Sequence, residues 1–395
     1  MFEGVSFDGG QTWSRRLIGT SDSDPLGKAC CDPSLSFDEF GNLFMTYLYS
    51  TIGNATPIAL STDGGLTFSV IANIEKPPKV SQPEGEQATF RYVDQPTITI
   101  GAGQVWVVFN AGGAMVATGA RVTGFGQVGS FIRPETVPGT NNCTYGDVAI
   151  GPKGQVMQVC SLTSTGQGGG KLFVSVDPDG LGPAGFGDRV FVTDTHVGGF
   201  DFIAPQPDRS VDAEPGLAWD RTGGAHNGRV YLVYTLEHPN ESDNTDIYVQ
   251  FSDNTGATWS APVRVNDDTT RNSQFLPKIA LDPTSGRIAV TWYDARNDLG
   301  TGGPGDTDRV PNTDAQLWGA FSSDGRAFTP NLQISGGTSN APASGNRIDY
   351  GDYMGLAFFG GVAHPAWSDN SNSTGDNPDG ALHQLDIYTA AVRQR

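Results

Sequence analysis

The chain has 395 residues, room for two or three ordinary domains or one large repeat domain, and its 53 Gly and 25 Pro put it at the turn-rich end of globular composition. A formal net charge of −19 argues against nucleic acid or an anionic membrane as a partner, because phosphate binding needs clustered Lys and Arg. Nothing resembles a run of about 18 apolar residues, while 37% apolar and only 17% charged residues allow a sizeable core.

Met1 leads directly into FEGVSFDGG, which reads as strand and turn, so no signal peptide is visible in this chain. The phrase SFDGGQTWS, Ser6 to Ser14, returns as STDGGLTFS at Ser61 and as SDNTGATWS at Ser252, with weaker relatives SVDPDG at Ser175 and SSDGRAFT at Ser322. Physically the phrase is a hairpin turn. Its Asp accepts bonds from turn N–H groups, Gly supplies positive φ, Ser and Thr hydroxyls close the loop, and the aromatic ring anchors it between sheets. Its expected role is structural.

A second phrase pairs an apolar strand, a turn and an aromatic-rich strand. It runs through DPSLSFDEFGNLFMTYLY, DQPTITIGAGQVWVVFN, YGDVAIGPKGQVMQVCS, EPGLAWDRTGGAHNGRVYLVYT, LPKIALDPTSGRIAVTWYD and GDYMGLAFFGGVAHPAWSD. The copies recur at roughly 50 to 75 residues, the period of repeat architectures. DIYVQFS, QLWGAFS and LDIYTAAV supply third strands. Four short strands per repeat, with turn residues between and almost no helical periodicity, predict an all-β, six-bladed β-propeller of four-stranded antiparallel blades, one domain over residues 1–395. Either Met1 to about Thr20 completes the last blade, or the first half of a seventh blade precedes Met1; six blades are expected.

Of four cysteines, Cys143 and Cys160 flank two strands folded about GPKG, which places them nearly opposite at a bridgeable separation. Cys30 and Cys31 are adjacent and read as a thiol pair rather than a vicinal bridge.

The repeated S-x-D-x-G-x-T-[W/F] phrase inside a six-fold β pattern resembles the Asp-box repeats of the sialidase superfamily over essentially the whole chain. The resemblance implies a secreted enzyme that cleaves a terminal sialic acid with retention and needs no metal for its chemistry. It further implies three arginines on the sugar carboxylate, a Tyr–Glu nucleophile pair and an Asp acid/base. The family's first arginine lies in [F/Y]-R-I-P. Here only FIRP, Phe131 to Pro134, is found, with order and position changed, so that role is not carried over.

Ligands of propellers gather where the innermost strands begin. Four repeats carry an arginine there with an acid or amide soon after: Arg91 with Asp94, Arg209 with Asp212 and Glu214, Arg271 with Gln274, and Arg347 with Asp349 and Asp352. Asp32 and Asp147 hold similar places in two others. Either each Arg latches the repeats through a salt bridge, or the forks converge on a carboxylate-bearing sugar. By the resemblance, Tyr350 or Tyr353 is the phenolic nucleophile, Glu214 its base, and Asp32 or Asp94 the acid.

The Asp-rich loops NDLGTGGPGDTDRVPNTD and SDNSNSTGDNPDG offer oxygen ligands of the kind Ca²⁺ takes, without EF-hand spacing. They read as solvated loops. No cofactor is expected beyond a structural Ca²⁺, and no histidine pair has zinc spacing. The leading reading is a sialidase-like glycoside hydrolase on the anionic sugars of extracellular glycans. The alternatives are a non-catalytic propeller that binds glycan or protein, and a polysaccharide lyase on the same architecture.

Overall fold

The computed structural model describes residues 1–50, 55–75, 93–164, 166–238, 242, 244–373, 375 and 384–394. Among them there is no α-helix, only a short 3-10 turn at Pro342–Ser344, and the rest is antiparallel strand and turn. No helix is long and apolar enough to cross a membrane among the described residues.

Each of the six predicted strand pairs opens a sheet in which successive strands are neighbours. The first sheet runs Ser34–Phe37, Leu43–Thr46, Ala55–Ser61, Ser69–Glu75. The second runs Val93–Gly101, Gln104–Ala111, Met115–Gly124, Gln127–Val128, with Glu135–Thr136 added on its third strand. The third is Thr144–Ile150, Val156–Thr163, Gly170–Asp177, Val190–Asp194, and the fourth Gly216–Trp219, Val230–Glu237, Thr245–Ser252, Val263–Arg264. The fifth is Gln274–Leu281, Ile288–Asp294, Gln316–Ser322, Leu332–Gln333. The sixth is Gly355–Phe359, Val362–Asp369, Asp386–Thr389, with Val392–Arg393 on its second strand. Where the connection is short, as between Gly101 and Gln104, the turn itself returns the chain beside the preceding strand.

The chain divides into two compact units, Met1–Cys160 with Phe173–Val190, and Ser161–Leu172 with Phe191–Arg395. In the first unit, the opening strands of sheets one, two and three are in contact in that order. Phe44, Ile58, Ile98, Val105, Val107, Phe109 and Val116 interleave between sheets one and two. In the second unit, the opening strands of sheets four, five and six contact in order. Tyr231, Val249, Ile279, Val290 and Trp292 fill the space between sheets four and five, and Phe321 meets Phe358 between five and six. Burying such side chains contributes roughly 1.5–3 kcal/mol each.

The N-terminal strands Phe2–Val5 and Ser14–Leu17 form a two-stranded sheet of their own, and the sixth sheet supplies its own third strand. Met1 to Thr20 is thus not a member of the sixth sheet. Instead Ile18 and Leu26 pack with Leu43, Met45 and Tyr47, and Arg16 Nη2 donates to the Gly65 carbonyl at 2.8 Å.

The repeated nine-residue phrase folds as its chemistry predicts. Asp8 accepts the Gln11 and Thr12 N–H groups at 2.9 Å each and the Thr12 hydroxyl at 2.6 Å. Asp63 and Thr67 repeat the hydroxyl bond at 2.6 Å, and Asn254 substitutes by donating its amide to the Thr258 hydroxyl at 2.8 Å. The ring does not always anchor between sheets. Phe68 is buried, whereas Trp13 is 44% exposed and folds onto its own turn through the Gly10 carbonyl.

Cys143 and Cys160 are bonded, and so are Cys30 and Cys31, which corrects the expectation of a thiol pair. Backbone bonds from Cys30 N–H to the Leu48 carbonyl and from Leu48 N–H to the Cys31 carbonyl hold the adjacent cysteines against the second strand.

One recurrent device was not foreseen. Asp32, Gln95, Glu214 and Leu276 adopt positive φ, each immediately before a proline (Pro33, Pro96, Pro215, Pro277), and Tyr145 does so before Gly146. Proline cannot donate to the ladder, and an extra residue in the left-handed region forms a bulge that re-aims its side chain. The register shifts between Asp94 and Thr97 and between Phe275 and Lys278 mark such bulges. In the first unit these residues link the strand starts. Asp32 Oδ2 accepts the Gln95 N–H at 3.3 Å, and Gln95 Oε1 accepts the Tyr145 N–H at 2.8 Å.

Candidate functional site

The second unit gathers five of the singled-out residues. Arg209 stands on the hairpin Asp201–Ile203/Gln206–Val211, Asp212 and Glu214 follow it, and Asp349 and Asp352 lie on the segment leading into the sixth sheet. Arg209 meets Asp352 with both prongs, Nε to Oδ1 at 2.7 Å and Nη2 to Oδ2 at 2.5 Å. Asp349 Oδ2 accepts the backbone N–H groups of Asp208 and Arg209 at 2.8 Å each. Gln206 completes the clasp: its amide donates to the Ser210 and Gly351 carbonyls, and its Oε1 accepts the Tyr350 N–H at 2.9 Å.

Ser210, Glu214, Arg347 and Asp349 all have positive φ. Each such residue costs on the order of 1–3 kcal/mol and persists only where surrounding bonds over-determine it. The bonds of Gln206 and Asp349 supply that constraint on both segments.

Charge crowding tunes the acids. Burial, and then the charge of Asp352, push the Asp212 carboxyl up to about 6, against the Phe200 backbone bond and the Arg209 charge that pull it down. Glu214, 5% exposed, is driven well above the usual carboxylate range by burial, reinforced by Asp352 and Asp212. Burial also raises Asp349, offset by its two backbone donors. The cluster therefore presents a guanidinium beside carboxyl groups that hold protons unusually tightly, the pairing acid/base chemistry needs. Exposed Phe200, Phe202, Ile348 and Tyr353 lie along the same two segments, the type of apolar surface on which a sugar ring rests.

Tyr350 is placed differently from the sequence expectation. It is 2% exposed, its ring lies 4.3 Å from that of Tyr293 and 5.8 Å from Phe275, and its hydroxyl donates to the Ser339 carbonyl at 2.8 Å. Burial raises its proton affinity strongly, the reverse of what attack on a sugar requires. It is a core phenol, and the hydroxyl is spent on Ser339 rather than on Glu214. Tyr353, 38% exposed beside Asp352, is the accessible phenol of the pair.

Arg271 and Arg347 are exposed and make no ion pair among the described residues. Arg91 lies outside the described residues. Asp32 and Asp94 belong to the first unit, where Asp32 is half-buried, Asp94 is exposed, and both carboxylates accept the Gln95 N–H. Sequence reading missed Gln206 altogether. An amide between Ala204 and Arg209 carries no motif, and its role exists only once hairpin and loop meet.

Of the two Asp-rich loops, the first brings Asp298, Asp306 and Asp314 together with one oxygen of each within 4.8 Å of the others. Their oxygens also accept bonds from the loop itself. Asp298 Oδ2 takes the Thr313 and Asp314 N–H groups, and Asp314 takes the Thr307 hydroxyl. Hard oxygens are the donor type Ca²⁺ takes, but all three carboxylates are already bonded within their own loop.

No family model matches the chain, and no curated protein matches it. Solved structures do. A protein of unknown function from Dyadobacter fermentans is 12% identical, with a TM-score of 0.49 over 93% of this chain and 95% of that one. Trypanosoma rangeli sialidase in complex with the inhibitor DANA is 12% identical, TM-score 0.47, over 98% of this chain but 57% of the sialidase. Penicillium chrysogenum α-L-arabinanase complexed with arabinobiose is 13% identical, TM-score 0.47, over 91% and 92%. These are distant likenesses.

Proposed function

We propose that this protein is a secreted glycoside hydrolase of the sialidase type, acting on an anionic terminal sugar of extracellular glycans. We propose as its frame a single β-propeller domain over residues 1–395, of six four-stranded blades with the N-terminal hairpin packed on the first. The stacking of opening strands within each unit supports that frame. Two disulfides fit an oxidising compartment.

The observation that carries the reading is Arg209 set beside Asp212, Glu214 and Asp352. In this reading the planar fork of Arg209 exchanges Asp352 for the sugar carboxylate. Asp212, protonated up to about 6, gives its proton to the leaving oxygen. The released Asp352 carboxylate then faces the positive charge that develops on the ring. Glu214 keeps its proton and holds the polar floor of the site. Tyr353, not Tyr350, is the accessible phenol: as its oxygen bonds the anomeric carbon and the bond to the leaving oxygen breaks, its proton passes to the released Asp352 carboxylate, and water then cleaves the phenol–sugar bond.

Turnover of a fluorogenic sialoside and of a panel of uronic-acid glycosides tests the proposal. Cleavage of one of them, abolished in Asp212→Asn, supports it; no turnover across the panel ends it. One observation favours a second reading, a non-catalytic propeller that binds glycan: both prongs of Arg209 are already engaged by Asp352, as a latch would have them. Glycan binding without turnover would select that reading.

A further inference from the structure

A third patch of acidic groups, in the first unit and outside the site above, is left incomplete by its own sequence. In the intact turns a threonine closes the motif. Thr12 gives its N–H to Oδ1 of Asp8 and its hydroxyl to Oδ2, and Thr67 does the same for Asp63. The relative at Ser175 keeps the serine and the aspartate but not the threonine. Leu181 takes that place, four residues after Asp177 as Thr67 is after Asp63, and it has no hydroxyl to give; its N–H goes to Gln104 Oε1 at 3.1 Å instead. Beside it, Gly180 gives its N–H to Asp177 Oδ1 at 2.7 Å and leaves no room for a neighbouring side chain to supply the hydroxyl, since a Cβ there would meet the Gly154 carbonyl oxygen at 2.4 Å.

The consequence is a set of orphaned oxygens. Asp177 is 1% exposed and its Oδ2 is buried without a hydrogen-bond partner; so are the Oγ of Ser175, itself fully buried, and the Oδ1 of Asp179. Ser175 and Asp177 are two apart on the strand Gly170–Asp177 and share one of its faces. Glu135, on the short strand Glu135–Thr136, adds a further negative charge that acts on Asp177. Among the described residues no Lys or Arg is ion-paired with Glu135, Asp177 or Asp179. The Asp298 group, by contrast, is already satisfied by its own loop.

We propose that the turn at Ser175–Gly180 binds a calcium-type divalent cation, which takes the place of the missing threonine hydroxyl. Asp177 Oδ2 and Asp179 Oδ1 are its carboxylate ligands, and the Ser175 hydroxyl its neutral one. Hard oxygen donors of mixed charge are what such a cation takes, and a site with two carboxylates belongs to the weak end, around 10⁻⁴–10⁻³ M. A cation also balances buried charge that would otherwise be costly.

The test uses the full chain, EGTA-treated and then titrated with CaCl₂ while the thermal midpoint is followed. At about 10 mM CaCl₂ the midpoint is expected to rise by roughly 2–3 °C. Asp177→Asn removes the orphaned charge and is expected to lose that response. Should it fail to fold, Asp179→Asn serves instead, with Tb³⁺ luminescence counting sites. Asp306→Asn, which alters the other acidic group, is expected to respond as wild type does. No CaCl₂ response in wild type, or an undiminished response in the Asp177 and Asp179 variants, overturns the proposal.

Discussion

Both oxygens of Asp352 are held by the two prongs of Arg209, at 2.7 and 2.5 Å, across 143 residues of sequence. The pair is also accessible, with 40% of the Arg209 side chain exposed. A partly exposed ion pair contributes only ~0–1 kcal/mol to stability. The fork is thus engaged cheaply enough to be exchanged for another carboxylate.

The first expected outcome concerns that exchange. Arg209→Lys retains the charge but loses the planar fork, and is expected to lower kcat/KM on the cleaved glycoside by about 100-fold. Its unfolding free energy should fall by less than ~1 kcal/mol. A large stability loss with unchanged kcat/KM would make Arg209 a latch.

Asp212 predicts a pH dependence. Its folded-state value is raised to about 6, so its stabilising contribution is full below the ordinary carboxylate value and is lost as pH rises through about 6. Denaturant unfolding of wild type and Asp212→Asn across this window should show wild type falling relative to the variant. Turnover should decline over the same range, as the general acid loses its proton.

Tyr350 and Tyr353 are expected to separate. Tyr350→Phe removes a buried hydroxyl from the Ser339 carbonyl, which keeps a second donor in the Ala315 N–H. Stability should drop by ~1 kcal/mol with turnover intact. Tyr353→Phe should leave stability unchanged and abolish turnover. Equal turnover in both variants would remove the phenol from the mechanism.

The two disulfides should differ in accessibility. Cys30 is exposed, whereas Cys143 and Cys160 are both fully buried. Thiolate attack needs access to sulfur. Graded dithiothreitol followed by alkylation and mass spectrometry should label Cys30 and Cys31 first. Simultaneous labelling of all four would contradict this.

The local structure was legible in the sequence because it is set by local chemistry. Six strand pairs appear as six sheets in the predicted order, and the nine-residue phrase builds its turn from its own Ser, Asp, Gly and Thr atoms, whatever lies around it. Cys143 and Cys160 could be paired because one hairpin fixes their register. What only the tertiary structure decided involves atoms brought together from distant segments. Whether a phenol at position 350 is a nucleophile or a core group depends on Tyr293 and Phe275 closing over it. Whether Asp212 and Glu214 hold their protons depends first on the fold burying them and then on Asp352 arriving beside them. The Asp177 oxygen is orphaned because Leu181 brings no hydroxyl to it and turns its N–H to Gln104, a residue 77 positions away. Burial and charge proximity are properties of space, and the order of residues along a chain specifies them only after the chain has folded.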